Sequence, residues 1–292
     1  MKKTIQNILS QEDLNFLLTN RIPRNAFTRF IGWFSQIENP VVAFFSIQIW
    51  KFFSALDLSD AKIQNFKSMH ACFTRELKPN ARPINQDSNY LVSPCDALIG
   101  AFGRVSNGEI FQAKGFPYAL NELIPNTGLA MSYEGCEYVT LRLTSSMYHR
   151  FHAPAAMQIK KITYISGDTW NVNPIALKRI ERLFCKNERA VIECEIDHTN
   201  KGLEASTLTL VPVAAILVAS IRLHCINLLL HLGYQGPHEI TCDANVKRGE
   251  ELGWFQHGST IIVFAPKNYV LLKTLNLGDN IRMGEALFEY SK

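Results

Sequence analysis

The first 70 residues carry apolar side chains at helical spacing. A stripe along one helix face is formed by Phe27, Phe30, Ile31 and Phe34. A second apolar stretch runs over residues 40–56, and Pro40 suits its first helical turn because the N–H that proline lacks would have no partner there. This spacing predicts an N-terminal helical subdomain over residues 1–70.

From about residue 90 the apolar positions fall into short segments that are β-branched or alternate with polar residues, as strands do. Strands are predicted over residues 137–143, 158–165, 190–196, 208–213, 216–223, 261–265 and 269–272. Short helices are predicted over residues 118–124 and 175–184. The expected fold class is α+β, with a strand-rich domain of packed antiparallel sheets over residues 71–292.

Charge and hydropathy narrow the classes of partner. The net charge is +4 and the chain has no block rich in Lys or Arg, which argues against a nucleic-acid partner. The first 55 residues hold six Lys and Arg against three acids, and basic, aromatic-rich helices suit the surface of an anionic membrane. Packing of these aromatics on the rest of the protein is the open alternative. No apolar run reaches the roughly 18–20 residues of a spanning helix, so peripheral association is expected.

Cysteine usage indicates a reducing compartment. The seven cysteines are odd in number and contain no Cys-x-x-Cys pair, which favours free thiols in a cytoplasmic setting over a disulfide framework. Cys95 is next to an acid and is one candidate nucleophile. A buried, apolar role is the better interpretation, because free cysteine is usually buried.

The tripeptide Gly258-Ser259-Thr260 is the first candidate for chemistry, and an apolar run over residues 261–265 follows it. Gly258 has no side chain to block attack on its own carbonyl, and the Ser259 hydroxyl follows that carbonyl directly. Attack would cut the chain and leave residue 259 as a new N-terminus. Taken alone, the tripeptide is far more often an ordinary turn before a strand, so the case for chemistry must come from elsewhere in the chain.

Two further segments supply partners for this hydroxyl. Asp96 is set among apolar residues, where a carboxylate is costly unless it is paired. His149 and His152 lie three residues apart, and imidazole changes charge near neutral pH. Asp96, His152 and Ser259 form the familiar set in which an acid orients a base and the base activates a hydroxyl.

A metal site is the alternative use of the two imidazoles. The further ligands would come from His224, His238 or Asp243. Two histidines at this spacing, without a glutamate-containing helical motif, are weak evidence for zinc. We therefore predict no metal.

The chain resembles the phosphatidylserine decarboxylase family of the prokaryotic, pyruvoyl-dependent type. The matching segments occur in the family's order over roughly residues 70–290, and the pair formed by the Tyr-His-Arg-x-His-x-Pro and Gly-Ser-Thr motifs is highly specific. They are Phe73-Thr74-Arg75-Glu76-Leu77 with Arg82-Pro83-Ile84, Pro94-Cys95-Asp96-Ala97, Tyr148-His149-Arg150-Phe151-His152-Ala153-Pro154, Phe184-Cys185-Lys186-Asn187-Glu188-Arg189, Val218-Ala219-Ser220 and Gly258-Ser259-Thr260.

The resemblance implies an enzyme, a carboxy-lyase that converts phosphatidylserine to phosphatidylethanolamine and CO2. The cofactor would be a pyruvoyl group made autocatalytically from Ser259 by cleavage between Gly258 and Ser259, and it would form a Schiff base with the serine amine of the lipid. The two resulting chains would stay associated, and a homodimer is compatible with the family. His152 would serve as the base of cleavage, with Asp96 holding its ring, and His149 would support turnover. The enzyme would sit peripherally on the cytoplasmic face of the cell membrane.

Departures and alternatives accompany the resemblance. His257 stands where many members have Leu, and Ala219 stands where Gly is common, so the timing of processing and the backbone approach near these positions stay open. A non-catalytic lipid-binding homologue is one alternative function, and a metallohydrolase is a weaker one. Arg75 and Arg82 are conceivable ligands for the lipid phosphate.

Overall fold

The computed structural model describes residues 11–21, 23–113, 116–197, 205–216, 220–231, 233–256 and 259–291. The N-terminal helices are α1 (Glu12–Asn20), α2 (Arg24–Ser35), α3 (Pro40–Phe53) and α4 (Met69–Phe73). Asn39 caps α3 by accepting hydrogen bonds from the N–H groups of Val41 and Val42, and Pro40 occupies the first turn. The helices predicted around residues 27–34 and 40–56 are confirmed. Most of residues 54–68 is irregular, so the N-terminal region is not continuously helical.

Strands dominate the rest of the chain. They are β1 (Tyr90–Val92), β2 (Ala97–Arg104), β3 (Glu109–Ala113), β4 (Phe116–Ala119), β5 (Glu137–Leu143), β6 (Arg150–His152), β7 (Met157–Ile165), β8 (Arg189–Ile196), β9 (Ser206–Ala214), β10 (Ser220–Leu223), β11 (Leu228–His231), β12 (Glu239–Val246), β13 (Glu251–Phe255), β14 (Ser259–Phe264), β15 (Tyr269–Leu271), β16 (Asn280–Ile281) and β17 (Ala286–Tyr290). Short helices intervene at α5 (Leu120–Leu123), α6 (Thr127–Ser132), α7 (Pro174–Leu177) and α8 (Leu183–Lys186).

The strands form antiparallel sheets, as predicted. The largest has the order β12-β7-β8-β9-β14-β5-β2-β16, and a four-stranded sheet has the order β11-β10-β13-β6. A three-stranded sheet, β1-β17-β15, and the hairpin β3-β4 complete the set. Strand β14, which begins with Ser259, pairs with β9 on one side and β5 on the other, so it lies inside the large sheet.

Alternation along β14 divides the core into two layers. Ile261 and Val263 pack in the cluster that also contains Phe151 and Phe255 of the four-stranded sheet. Ile262 and its neighbours on the opposite face pack in a second cluster with residues of the short helices α5 to α8. Because both faces of β14 are covered, all six of its residues are buried, and residues 261–264 form a continuous apolar run.

Three predicted elements have different bounds. The helix predicted over residues 118–124 begins only at Leu120, because Phe116–Ala119 pairs with β3 as a strand. The helix predicted over 175–184 is two short helices, since the chain turns through Arg182, whose φ is +54°. The strand predicted over 216–223 is seen from Ser220, and residues 217–219 lie outside the described residues.

Candidate active site

Ser259 stands at the head of the central strand of the large sheet. Its Cα partners are Leu143 on β5 and Ala214 on β9, and the residue is fully buried. Its Oγ has no hydrogen-bond partner among the described residues. A buried hydroxyl without a partner costs free energy, so an orphaned Oγ at this position is typical of a functional group. Gly258 and His257 lie outside the described residues.

Asp96 is held by an arginine. Arg82 Nε donates to Oδ1 and Oδ2 at 2.9 and 3.0 Å, and Arg82 NH2 donates to Oδ2 at 2.6 Å. The backbone N–H of Met283 donates to Oδ1 at 2.9 Å. Both charged side chains are about nine-tenths buried, and the sequence expectation that this carboxylate needs a partner is met by Arg82.

His152 is held by two other groups. Its Nδ1 lies 2.9 Å from the Gly249 carbonyl oxygen, which can only accept, so Nδ1 carries the proton. Its Nε2 lies 2.9 Å from the Tyr148 hydroxyl and, in this tautomer, accepts a hydrogen bond from it. Burial lowers the pKa of His152, which keeps the ring neutral and able to act as a base at neutral pH.

The expected contact between Asp96 and the His152 ring is not made. Both ring nitrogens are occupied by Gly249 and Tyr148, and the Asp96 oxygens receive hydrogen bonds from Arg82 and Met283. The two residues are nevertheless on adjacent segments, because the His152 N–H donates to the Pro94 carbonyl at 2.8 Å. The carboxylate therefore acts on the imidazole through its field, and the hydrogen bond that orients the ring comes from Gly249.

His149 lies beside a later part of β13 than His152 does, and so nearer to the residues that lead to Ser259. In the pairing of β6 with β13, His152 is opposite Glu251, whereas the His149 carbonyl accepts a hydrogen bond from the Phe255 N–H at 3.0 Å. The His149 ring is fully buried against Phe73, with ring centroids 3.9 Å apart, and its Nδ1 lies 2.9 Å from the Met147 carbonyl oxygen.

A small polar cavity of about 280 Å³ lies beside the His152 ring and the partners of Asp96. Its lining includes Arg82, Tyr148, His152, Glu251 and Met283. The cavity therefore collects the immediate partners of Asp96 and His152. Tyr148 and Arg82 are further functional candidates, and the sequence does not reveal their contacts with His152 and Asp96, although both residues lie in motifs shared with the family.

Arg75 and Arg82 do not present themselves as phosphate ligands. Arg75 is buried and donates to the carbonyls of Cys72, Ser146 and Met147. Arg82 is committed to Asp96 and to Asp60, which it contacts at 2.8 Å. Both arginines fix loops around the cavity.

The described residues hold no group of three or more His, Cys, Asp or Glu side chains placed to share a metal ion. His224 contacts Glu251 at 2.7 Å, His238 contacts the Tyr164 carbonyl at 3.3 Å, and Asp243 faces Lys160 at 3.7 Å. The suggested further metal ligands are thus not gathered around His149 and His152.

The cysteines are all free thiols, as expected. Cys95 is fully buried, and burial together with the neighbouring Asp96 raises its pKa well above the usual value. Since the thiolate is the reactive form, this environment disfavours Cys95 as a nucleophile.

Glu188 is a third residue whose environment the sequence did not reveal. It is fully buried, and the side chain that interacts with its carboxyl is that of Tyr164. Burial raises the pKa of Glu188 to about 8. No ion pair to this carboxyl occurs within the described ranges.

Comparison with known proteins decides the family. A model of the phosphatidylserine decarboxylase family matches residues 69–289, which is well over half of the chain. The chain belongs to the phosphatidylserine decarboxylase family. Family membership accounts for the order of the motifs in this chain.

Individual relatives extend the match to the N-terminal helices. The "phosphatidylserine decarboxylase proenzyme" of Saccharophagus degradans is 32% identical, covering 96% of this chain and 98% of its own length. The proteins of the same name from Aliivibrio salmonicida and Brevibacillus brevis are 31% and 30% identical, with 99% and 95% of their lengths covered. This phosphatidylserine decarboxylase family member thus spans nearly the full length of these relatives.

The N-terminal helices of this family member expose an aromatic surface. Large apolar side chains on α2 and α3 are more than half exposed, among them Phe30, Trp33, Phe44, Phe45 and Phe53. Within the ranges that the structure describes, no helix is long and apolar enough to cross a membrane. We call the exposed apolar side chains of Arg24–Ser35 and Pro40–Phe53 the aromatic surface.

Proposed function

We propose that this chain converts phosphatidylserine to phosphatidylethanolamine and CO2 after cutting itself between Gly258 and Ser259. The observation that carries the proposal is the fully buried Ser259, whose unpartnered Oγ directly follows Gly258 at the head of a central strand. Residues 259–291 contain strands of the core, so the short chain would remain bound to residues 1–258 after cleavage. The domain boundary that we propose lies near residue 70, between the helical region and the catalytic domain.

His152 is the proposed base of self-cleavage. Its neutral ring accepts from Tyr148 through Nε2, which is the lone pair that a base would use. The Tyr148 hydroxyl therefore holds the ring at the lone pair through which the base would take a proton. Asp96 favours the protonated ring through its charge, while Arg82 keeps the carboxylate in place.

Residue 259 fits the role of pyruvoyl precursor. The hydroxyl is buried without a hydrogen-bond partner among the described residues, and Leu143 and Ala214 flank it on the neighbouring strands. A pyruvoyl group at this position would supply a carbonyl that withdraws the electron pair left when CO2 departs. His149, whose backbone is bonded to the strand that leads to Ser259, is the proposed partner of the substrate in turnover.

The aromatic surface is the proposed membrane contact. Exposed Phe and Trp side chains beside a basic segment suit the headgroup region of an anionic membrane, which gives peripheral attachment at the cytoplasmic face. An apolar groove of about 610 Å³ runs between α2 and α3 and reaches Phe73. Because Phe73 contacts the His149 ring, this groove leads from the membrane side toward the site and suits the acyl chains of the lipid.

Intact mass measurement tests the self-processing part of the proposal. The purified wild-type chain should give two polypeptides, with a short one that starts at position 259 and has a blocked N-terminus. Ser259→Ala should give one intact chain, whereas Ser132→Ala, which removes an exposed helical hydroxyl, should be cut normally. A cut Ser259→Ala chain would contradict the cleavage chemistry.

Turnover requires its own assay. The processed protein should release CO2 from phosphatidylserine vesicles and should lose activity when treated with hydroxylamine or borohydride, which trap carbonyl groups. Processing without CO2 release would favour the non-catalytic lipid-binding alternative. Activity that resists both reagents would contradict a pyruvoyl cofactor.

A further inference from the structure

A second apolar cavity, of about 580 Å³, lies against one face of the large sheet. Leu98 of β2 and Arg142 of β5 line it from the sheet, and Phe111 of β3, Leu177 of α7 and Phe184 of α8 line it from the segments that cover this face. We call this space the sheet cavity. Its lining residues differ from those of the polar cavity and of the groove between α2 and α3, and its volume suits an organic ligand.

Arg142 is the charged group that lines the sheet cavity from the sheet. Its side chain is partly buried, and its guanidinium makes no hydrogen bond or ion pair with any residue that the structure describes. Burial alone lowers the pKa of Arg142, and a guanidinium keeps its charge in spite of such a shift. A charge withdrawn from water costs free energy unless a counter-charge offsets it, so this position favours an anion.

The other charged side chain of the sheet cavity has the same sign. Lys178, which follows α7, is exposed and lines the cavity together with Arg142. Among the described lining residues there is no Asp or Glu, and the amide of Gln112 is bonded to the backbone of residues 177, 180 and 183. The cavity therefore has an apolar lining with a net positive charge.

Strand register places a second unpartnered group beside Arg142. Arg142 is opposite Leu98 on β2 and opposite Thr260 on β14. Residues in one such row project to the same face of a sheet, with Cβ atoms about 5 Å apart. Thr260 is fully buried, and its Oγ1 has no hydrogen-bond partner in the described part of the chain. A guanidinium and a hydroxyl thus adjoin on the side of the cavity that faces the middle of the sheet.

The side of the sheet cavity that faces solvent is apolar. Phe102, Phe111 and Leu277 line the cavity, and they are 40%, 50% and 72% exposed. A ligand that satisfies both ends must place its charge inward and its apolar part outward. The charged group must therefore be small and terminal, because a phosphodiester would bring a second substituent into the inner end. A carboxylate on an alkyl chain meets this requirement.

We propose that the sheet cavity binds a long-chain fatty acid, with its carboxylate at Arg142 and Thr260 and its alkyl chain along the apolar walls toward Phe111 and Leu277. The planar guanidinium can donate two parallel hydrogen bonds to a carboxylate, and the Thr260 hydroxyl can donate a third. The carboxylate supplies the missing counter-charge, and burial of the chain supplies the apolar part of the binding free energy.

This site is distinct from the site around Ser259. Side chains alternate along β14, so Thr260 projects to the face opposite that of Ser259. Ile261 and Val263 share the Ser259 face and pack toward the four-stranded sheet, whereas Ile262 packs with the short helices on the Thr260 face. A fatty acid would therefore bind without occupying the space in front of the Ser259 side chain, and the inference does not depend on self-cleavage.

The test is isothermal titration calorimetry of the purified full-length protein with palmitate, kept below its aggregation limit. Palmitate should bind at a single site per chain, and hexadecanol, which has the same chain without the charge, should bind about 30-fold more weakly. Lysophosphatidylethanolamine, which carries a phosphodiester, should bind no better than hexadecanol. Equal affinity for palmitate and hexadecanol in the wild-type protein would overturn the inference without any variant.

Variants locate the site. Arg142→Met should weaken palmitate binding about 30-fold, and Leu177→Trp should weaken it as strongly by filling the cavity while Arg142 remains. Arg104→Met is the matched control, because Arg104 is on the same sheet in an exposed pair with Glu137, and it should bind palmitate like the wild type. Palmitate should also raise the melting temperature of the wild type and of Arg104→Met, but not that of Arg142→Met.

Two results would assign the sheet cavity or the palmitate elsewhere. Loss of palmitate binding in Phe44→Ser/Phe45→Ser, with full binding in Leu177→Trp, would place the fatty acid on the aromatic surface and overturn the inference. Absence of palmitate binding, together with self-association that Leu277→Asp abolishes in sedimentation, would assign the exposed apolar side to a second copy of the chain and would also overturn it. Neither result bears on whether the chain cleaves itself or releases CO2.

Discussion

Arg82 and Asp96 form a nearly dry ion pair at the edge of the polar cavity, joined by three hydrogen bonds of 2.9, 3.0 and 2.6 Å. These bonds hold the Asp96 carboxylate in place without a hydrogen bond to the His152 imidazole. Asp96 is thus a charge held at a set position near His152, and Arg82 is the residue that sets the position.

Loss of Arg82 should destabilise the fold. Arg82→Met leaves the Asp96 carboxylate buried without its partner, which should lower the free energy of unfolding by about 3 kcal/mol. Urea denaturation of the single-chain Ser259→Ala protein measures this effect. Arg104→Met, which breaks an exposed pair with Glu137, should change stability by no more than about 0.5 kcal/mol. Adding Asp96→Asn to Arg82→Met should restore much of the loss, and a lack of any recovery would refute the pairing argument.

Removal of the Tyr148 hydroxyl should alter the pH dependence of self-cleavage. The hydroxyl donates to the neutral form of His152, so Tyr148→Phe raises the pKa of the imidazole. A base must be unprotonated, so the fall in cleavage rate on acidification should begin at a higher pH in Tyr148→Phe, with a roughly tenfold lower rate at pH 6. Gel-based cleavage rates at pH 5 to 8 would show the shift. Tyr133→Phe, which removes a buried hydroxyl bonded to Thr209, should keep the wild-type profile.

Vesicle binding should depend on the aromatic surface. Phe44 and Phe45 are 57% and 60% exposed, so replacing both with Ser costs the fold little, while the membrane loses apolar contacts of about 1.5–3 kcal/mol each. Cosedimentation with phosphatidylserine-containing vesicles should weaken more than tenfold. Met131→Ser is the control, because Met131 is 72% exposed on α6, away from the aromatic surface. Equal binding by both variants would argue that these aromatics serve some other contact.

Glu188 should make the fold less stable as pH rises. The folded carboxyl keeps its proton to about pH 8, while in the unfolded chain it ionises near its ordinary value of 4.5. Its raised pKa therefore costs nothing below pH 4.5 and costs most above pH 8, where the loss reaches about 5 kcal/mol. In the Ser259→Ala background, Glu188→Gln should match the parent in urea near pH 4.5 and exceed it at pH 9. Similar differences at both pH values would contradict a protonated carboxyl in the fold.

The sequence determined the elements and the chemistry-bearing residue types. Helical spacing predicted α2 and α3, and β-branched runs predicted the interior strands, because burial of one stripe or of two faces leaves a local signature. Gly258-Ser259 at the start of an apolar run placed the candidate nucleophile, Ser259, at the start of a strand, and β14 begins there. Helices over 118–124 and 175–184 were misjudged, since strand pairing and the left-handed Arg182 are not encoded in apolar spacing.

Tertiary structure alone decided which residues are partners. Asp96 is bonded to Arg82 rather than to His152, and His152 takes Gly249, a residue 97 positions away. Glu188 and Ser259 share a row only because β8, β9 and β14 pair in one particular register. Local periodicity records whether a side chain is buried, whereas register between distant strands sets what it is buried against, and that information is spread over the whole chain.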